Sequence, residues 1–195
     1  MSNRTVVGNI TLSLDGKVNG PGGDYDMGWI APHAMTRGSL QHMSRVTSTA
    51  TTALLGRKNY EGFGGYWPTV ADDENAPVEC REFSTWLSQV EKVVFSTTLE
   101  EAAWENSRLA STDPVATVKE LRQEQGGDII VLASSSVIRA LLAAGELDRL
   151  SVTLCPELVS GGVPLFDETV AATSWTLTHS APTESGALCL LYDRK

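Results

Sequence analysis

Three short segments of this sequence carry the residue types that hold anions: Gly56-Arg57-Lys58-Asn59, Ser96-Thr97-Thr98 and Ala133-Ser134-Ser135-Ser136. Each follows an apolar run: Thr51 to Leu55, Val93 to Phe95 and Ile129 to Leu132. Amides at a helix start, small residues that let a ligand approach, and adjacent basic side chains all favour negative charge. Taken alone, any one of them also reads as ordinary helix capping. Three such segments, each at a strand end, point to a ligand with several phosphates along one sheet edge. No Gly-x-Gly-x-x-Gly fingerprint and no P-loop is present, so a dinucleotide would have to be held in some other way.

Other chemistries are poorly supplied. Cys80, Cys155 and Cys189 lie far apart, with no Cys-x-x-Cys pair or Cys/His cluster. A metal site and a disulfide framework are therefore not expected, and reduced cytosolic thiols are. The formal net charge is -9, from 24 acidic and 15 basic side chains, which argues against a nucleic-acid face. No stretch approaches membrane-spanning length and no charged leader precedes an apolar run, so the expectation is a soluble, cytoplasmic protein without a membrane partner. With 42% hydrophobic and 20% charged residues over 195 positions, the composition is that of one globular domain covering 1–195.

The elements that must carry these segments alternate along the chain. Val6 to Leu12 reads as a first strand, followed by a Gly- and Asp-rich loop from Asp15 to Gly28. His33 to Thr49 reads as one helix and Phe83 to Val90 as another. Asp113-Pro114 opens a helix with the apolar face Val115, Val118 and Leu121, and Gly126-Gly127 is expected to end it. Ile129 to Leu132 has the unbroken apolar character of a parallel strand covered on both sides. A helix from Ser134 to Gly145 follows, then a strand from Leu150 to Leu154. Two closing antiparallel segments are expected around Trp175 to Thr178 and Ala187 to Tyr192. The alternation predicts a three-layer α/β/α fold around a mixed, mostly parallel central sheet.

The ordered set of motifs resembles the dihydrofolate-reductase-like superfamily, and within it the reductase domain of riboflavin biosynthesis, in its stand-alone bacterial form. The carriers are Ser13-Leu14-Asp15-Gly16-Lys17, Gly28-Trp29-Ile30, Leu54 through Glu61, Gly127 through Val131, Leu141 through Asp148, and Pro156 through Gly161-Gly162 to Phe166. The resemblance implies a reductase that binds NADPH, with NADH as the alternative, and transfers hydride to a pterin-like or ribosylamino-pyrimidine small-molecule substrate. Rival readings are a dihydrofolate or other pterin reductase and a non-catalytic nucleotide-binding dimer.

By match, Gly56, Arg57, Lys58 and Asn59 would meet the pyrophosphate or ribose phosphate. Ser96 and Thr97 would lie at the adenosine end, and Ser134, Ser135 and Ser136 would form a second phosphate cradle. Gly161 and Gly162 belong to the same cofactor-binding set. Trp29 and Asp15 match positions beside nicotinamide and substrate, with Asp15 as the candidate proton donor and Asp26 as runner-up. Asp15 could equally cap its Asp-Gly turn, and Trp29 could be core. Three positions depart from the pattern. Ala133 stands where a glycine is usual, Thr97 where an arginine is usual, and Leu132 where riboflavin enzymes tend to carry an acid. A homodimer is also expected, from the resemblance and from the apolar face of Trp175, Leu177, Leu188, Leu190 and Tyr192.

Overall fold

A computed structural model describes residues 4–195. The chain builds an eight-stranded sheet in the order β4-β3-β2-β5-β1-β6-β8-β7. The strands are β1 (Val6–Ser13), β2 (Ala50–Gly56), β3 (Glu91–Phe95), β4 (Ser107–Leu109), β5 (Asp128–Leu132), β6 (Arg149–Cys155), β7 (Trp175–Pro182) and β8 (Leu188–Arg194). From β4 to β6 all pairings are parallel, while β8 runs antiparallel to both β6 and β7. Parallel strands need crossovers, and helices supply them. They are α1 (Ala31–Ala34), α2 (Arg37–Thr47), α3 (Arg57–Tyr66), α4 (Val78–Gln89), α5 (Pro114–Leu121) and α6 (Ser135–Ala144).

The central strands are apolar on both faces because both faces are covered. In β5, Ile129 and Val131 join Val118, Leu121, Ile138 and Leu141 of α5 and α6 in one core. Ile130 and Leu132 point the other way, into a core with Val46, Phe83 and Leu87 of α2 and α4. This period-two split of one apolar run is what makes three layers. A buried lysine closes α4: the Lys92 ammonium donates to the carbonyls of Leu87, Ser88 and Val90 at that helix's end.

Three element boundaries differ from the sequence expectation. The helix read as His33 to Thr49 is interrupted, because Thr36 leaves helical geometry and its hydroxyl caps α2 by accepting from the Ser39 N–H. Helix α4 starts at Val78, five residues before Phe83, with Pro77 at its N-cap position. Helix α5 ends at Leu121, so Gly126-Gly127 does not terminate it. Those glycines serve close packing instead: a Cβ on Gly127 would sit 2.1 Å from the Thr49 carbonyl oxygen. The Gly127 N–H donates to Thr51 Oγ1 at 2.9 Å, tying the start of β5 to β2. By contrast, Gly145 ends α6 as expected, with φ of 73° in the left-handed region that glycine adopts freely.

Candidate functional site

A cleft of about 880 Å³ opens at the carboxyl ends of the parallel strands. One side is made by the chain turns after β2 and β5. Gly56 and Ser134 stand at the N-cap positions of α3 and α6, and neither helix receives a side-chain cap. The Ser134 hydroxyl is busy elsewhere. It donates to the Leu132 carbonyl and accepts from the Gly56 N–H, each at 2.8 Å, so it locks the two turns together. Asn59 adds a donor to the Ala133 carbonyl at 3.1 Å. With the Ser134 side chain so engaged, the leading amides of both helices face the cleft without a side-chain acceptor, the arrangement that receives an anion.

Ala133 shows how tight this turn is. Its φ is 50°, a left-handed conformation that costs a residue with a Cβ roughly 1–2 kcal/mol. The backbone therefore follows the path a glycine would take, and the Ala133 N–H still donates to the Asn9 carbonyl at 2.9 Å.

Past Arg57 the cleft continues into a second depression of about 510 Å³, formed by Ser96, Thr97, Thr98, Thr112 and Asp113. Arg57 lines both cavities. Its guanidinium pairs with Glu61 at 3.3 Å, one helical turn on and well exposed. Lys58 is ion-paired to Asp24, which brings the 20–27 loop against the first turn of α3. The Ser96 hydroxyl accepts from the N–H groups of Thr98 and Leu99, holding its turn rigid.

The opposite side of the cleft is apolar. Met43 of α2, Phe63 of α3, Trp67 in the turn after α3 and Phe83 of α4 line it, with Trp67 and Phe83 packed edge to face at 4.6 Å between ring centres. Two acceptors interrupt this surface. Glu79, in the first turn of α4, meets no hydrogen-bond or ion-pair partner among the described residues. His42 is buried, and its Nε2 lies 2.8 Å from Ser151 Oγ. The Ser151 hydroxyl donates its proton to Asn9 Oδ1 at 3.0 Å, so Nε2 carries the imidazole proton. Nδ1 is then an acceptor, buried and without a partner. Burial first, then the neighbouring His179 and Arg45, lower the His42 pKa to about 4. The ring is neutral at physiological pH.

The structure brings together Gly56, Arg57, Lys58, Asn59, Ser134, Ser135 and Ser136 around the first cavity, and Ser96 and Thr97 around the second. It does not bring Asp15 there. That carboxylate accepts from the Ser13 hydroxyl at 2.6 Å and from the Val159 and Ser160 N–H groups, clamping the Asp-Gly turn to the chain after β6. These bonds, the Ser13 hydroxyl foremost, hold its pKa down at about 2. Asp26 likewise stays outside the lining and accepts from the Gly22 N–H. Trp29 does not line the cleft either, and its indole N–H is buried without a partner. Gly161 packs on Pro21, and a Cβ on Gly162 would sit 2.0 Å from the Asn19 carbonyl oxygen. Those two glycines allow loop-to-loop contact rather than contact with the cleft. Glu79 and His42 were not singled out by the sequence, because nothing in their local spacing shows which way they face.

With this geometry in view, comparison with known proteins identifies the family. The RibD C-terminal domain model matches residues 4–189. The chain belongs to that family. It is 23% identical to the uncharacterised protein YyaP of Bacillus subtilis, over 98% of this chain and 96% of that one. Among solved structures, a Shewanella sp. PV-4 protein provisionally assigned to riboflavin biosynthesis superposes with a TM-score of 0.70 at 21% identity, covering 98% of this chain and 99% of that one. Dihydrofolate reductase from Enterococcus faecalis, complexed with NADP(H) and RAB-propyl, gives 0.61 at 15% identity, covering 98% and 96%. A pyrimidine reductase-like protein from Corynebacterium diphtheriae gives 0.61 at 16% identity, covering 98% and 92%. The fold is thus dihydrofolate-reductase-like. Within the described residues no helix is long and apolar enough to cross a membrane.

Proposed function

We propose that this protein is an NADPH-dependent reductase whose cofactor lies along the carboxyl edge of the sheet. One observation carries the reading: two uncapped helix N-termini, α3 and α6, face a single cleft that runs past Arg57 into a second depression. The leading amides of α3 and α6 would hold the pyrophosphate. Arg57, with Ser96 and Thr97 beyond it, would meet the adenosine end, and its position between the cavities favours a phosphorylated ribose. Reduced nicotinamide, when bound, supplies a hydride to an electrophilic carbon of a C=N or C=O group. This chain orients the reactants and limits water between the strand ends and the apolar wall. In this reading the accompanying proton comes from water, since Asp15 lies outside the cleft and stays ionised. Calorimetric titration tests the proposal. NADPH should bind and raise the melting temperature by mass action, and absence of binding by NADPH and NADH at millimolar concentration rejects it.

We further propose that the chain forms a homodimer through β7 and β8. Strand β7 is a sheet edge, and Leu177 and Leu188 remain 49% and 40% exposed on this pair. Trp175, Leu190 and Tyr192 are instead half-buried against the monomer core. The cleaner probe is therefore Leu177→Glu, which should halve the mass seen by light scattering from twice 20.9 kDa to one chain. A wild-type mass of 20.9 kDa rejects the dimer.

A further inference from the structure

We propose that Ser185, His33 and Glu157 form a separate reactive centre that cleaves small, uncharged carboxylic esters through an acyl-serine. None of the three lines either cavity, so this centre stands apart from the reductase reading.

The three residues come from distant elements. Ser185 lies in the turn between β7 and β8, His33 in α1, and Glu157 just past the end of β6. Their side chains join in one hydrogen-bonded chain. Ser185 Oγ lies 2.8 Å from His33 Nδ1, and His33 Nε2 lies 3.1 Å from Glu157 Oε1. The polarity follows from the far end. A carboxylate only accepts, so Nε2 carries the imidazole proton and Nδ1 is left as an acceptor. The Ser185 hydroxyl therefore donates to Nδ1. A hydroxyl donating to a base that a carboxylate orients is the arrangement that activates a serine.

The base is held and the nucleophile is open. His33 is 4% exposed, and its carbonyl accepts from the hydroxyls of Thr36 and Ser39. The Glu157 N–H donates to the Cys155 carbonyl, and the Glu157 carbonyl accepts from the Leu14 N–H. Ser185 is part-exposed, between the exposed Glu184 and Gly186. Two bonds close its turn, from the Thr183 N–H to the Ala187 carbonyl and from the Gly186 N–H to the Thr183 carbonyl. The Ser185 N–H has no acceptor among the described residues. It is a donor for the oxygen of a substrate carbonyl as negative charge develops there. Glu157 and Glu184, beside the serine, disfavour an anionic ester, which sets the substrate class.

In the first step Ser185 Oγ bonds to the ester carbonyl carbon, and its proton passes to His33 Nδ1. The bond from that carbon to the leaving oxygen breaks, and the departing alcohol takes the proton. Water then adds to the acyl-serine with the same base, releasing the carboxylic acid and restoring the serine. The same hydrogen bonds tie the hairpin turn to α1, and reactivity at Ser185 separates the two roles.

Diisopropyl fluorophosphate, small and uncharged, tests the centre on the intact protein, with the adduct placed by peptide mass mapping. The phosphoryl group should sit on Ser185, and para-nitrophenyl acetate should acetylate the same residue. His33→Gln should slow labelling by about a hundredfold or more, the worth of a general base. Glu157→Gln, a change at an exposed side chain, should slow it at least about tenfold by removing the charge that orients the ring. Rates are compared where circular dichroism shows the proteins folded, and Glu157→Gln decides if His33→Gln does not fold. The proposal is overturned if the parent takes no adduct at Ser185, if adducts form only elsewhere, or if either folded variant labels Ser185 at the parent's rate.

Discussion

One side of the cleft is set by backbone geometry, through the turns at Gly56 and Ala133-Ser134 that aim the amides of α3 and α6. Its opposite side is assembled from side chains on α2, α3, α4 and the turn at Trp67. The first can be built locally, since strand, short turn and helix follow one another directly in sequence. The second exists only when distant elements converge: Met43 and Phe83 are forty residues apart and meet through the packing of α2 on α4. A backbone-built surface holds a group common to many ligands, such as phosphate. A side-chain-built surface can change its ligand by a few substitutions without disturbing the sheet.

The largest effect expected from this contrast lies on the side-chain half, at His42. Its folded pKa of about 4 is below the ordinary 6.5, because burial, and after it the neighbouring His179 and Arg45, disfavour the cation. Unfolding therefore lets the ring take up a proton between those values. Its stabilising contribution is complete above about 6.5 and is lost as pH falls towards 4, by on the order of 3 kcal/mol. His42→Gln keeps a donor to Ser151 and should flatten that part of the stability curve. Denaturant melts between those two pH values check it. An unchanged slope in the variant would mean that other groups govern acid unfolding.

A smaller effect belongs to the backbone-built half. Arg57→Ala should weaken NADPH binding by roughly 1–3 kcal/mol, the worth of a charge-assisted contact to phosphate. NADH binding should fall less, so the preference between the two narrows. Stability should barely move, because the Arg57–Glu61 pair is exposed and such pairs contribute little. Equal affinities in parent and variant would make Arg57 a solvated surface residue and remove the reason to prefer NADPH.

The same contrast explains what the sequence made legible. The strands, the order of the layers and the strand-end segments that line the cleft were readable because each is written locally: an apolar run, then Gly or Ser, then a helix. Gly145 was readable for the same reason. Gly126-Gly127 was misread because a glycine that permits close approach looks no different from one that ends a helix. The start of α4 was missed because Pro77 and Val78 carry no capping hydroxyl or amide. His42 sits among residues that read simply as an amphipathic helix. Its hydrogen-bonded chain through Ser151 to Asn9 joins three elements, with Ser151 more than a hundred residues from either end.

The smallest effect expected is at Asp15, the residue whose type and place suggested an acid. Its carboxylate accepts three hydrogen bonds and has a pKa of about 2, below the ordinary 3.8. It is therefore ionised throughout the range in which a reductase would be assayed, and it cannot lend a proton there. Its folded pKa being depressed, its contribution to stability is present above about 4 and is lost as pH falls from there towards 2. Asp15→Asn should leave the pH profile of turnover between 5 and 9 unchanged, apart from any fall in the folded fraction. The variant's acid unfolding should be less steep below about 4, since the group that had to be protonated is gone. Turnover at neutral pH is the deciding measurement once both proteins are shown to be folded. A loss of more than about tenfold would return Asp15 to the reacting centre, because general acid catalysis contributes about a hundredfold or more. It would also mean that the turn carrying Asp15 swings into the cleft when ligands bind. Equal turnover leaves it as the clamp that its three hydrogen bonds describe.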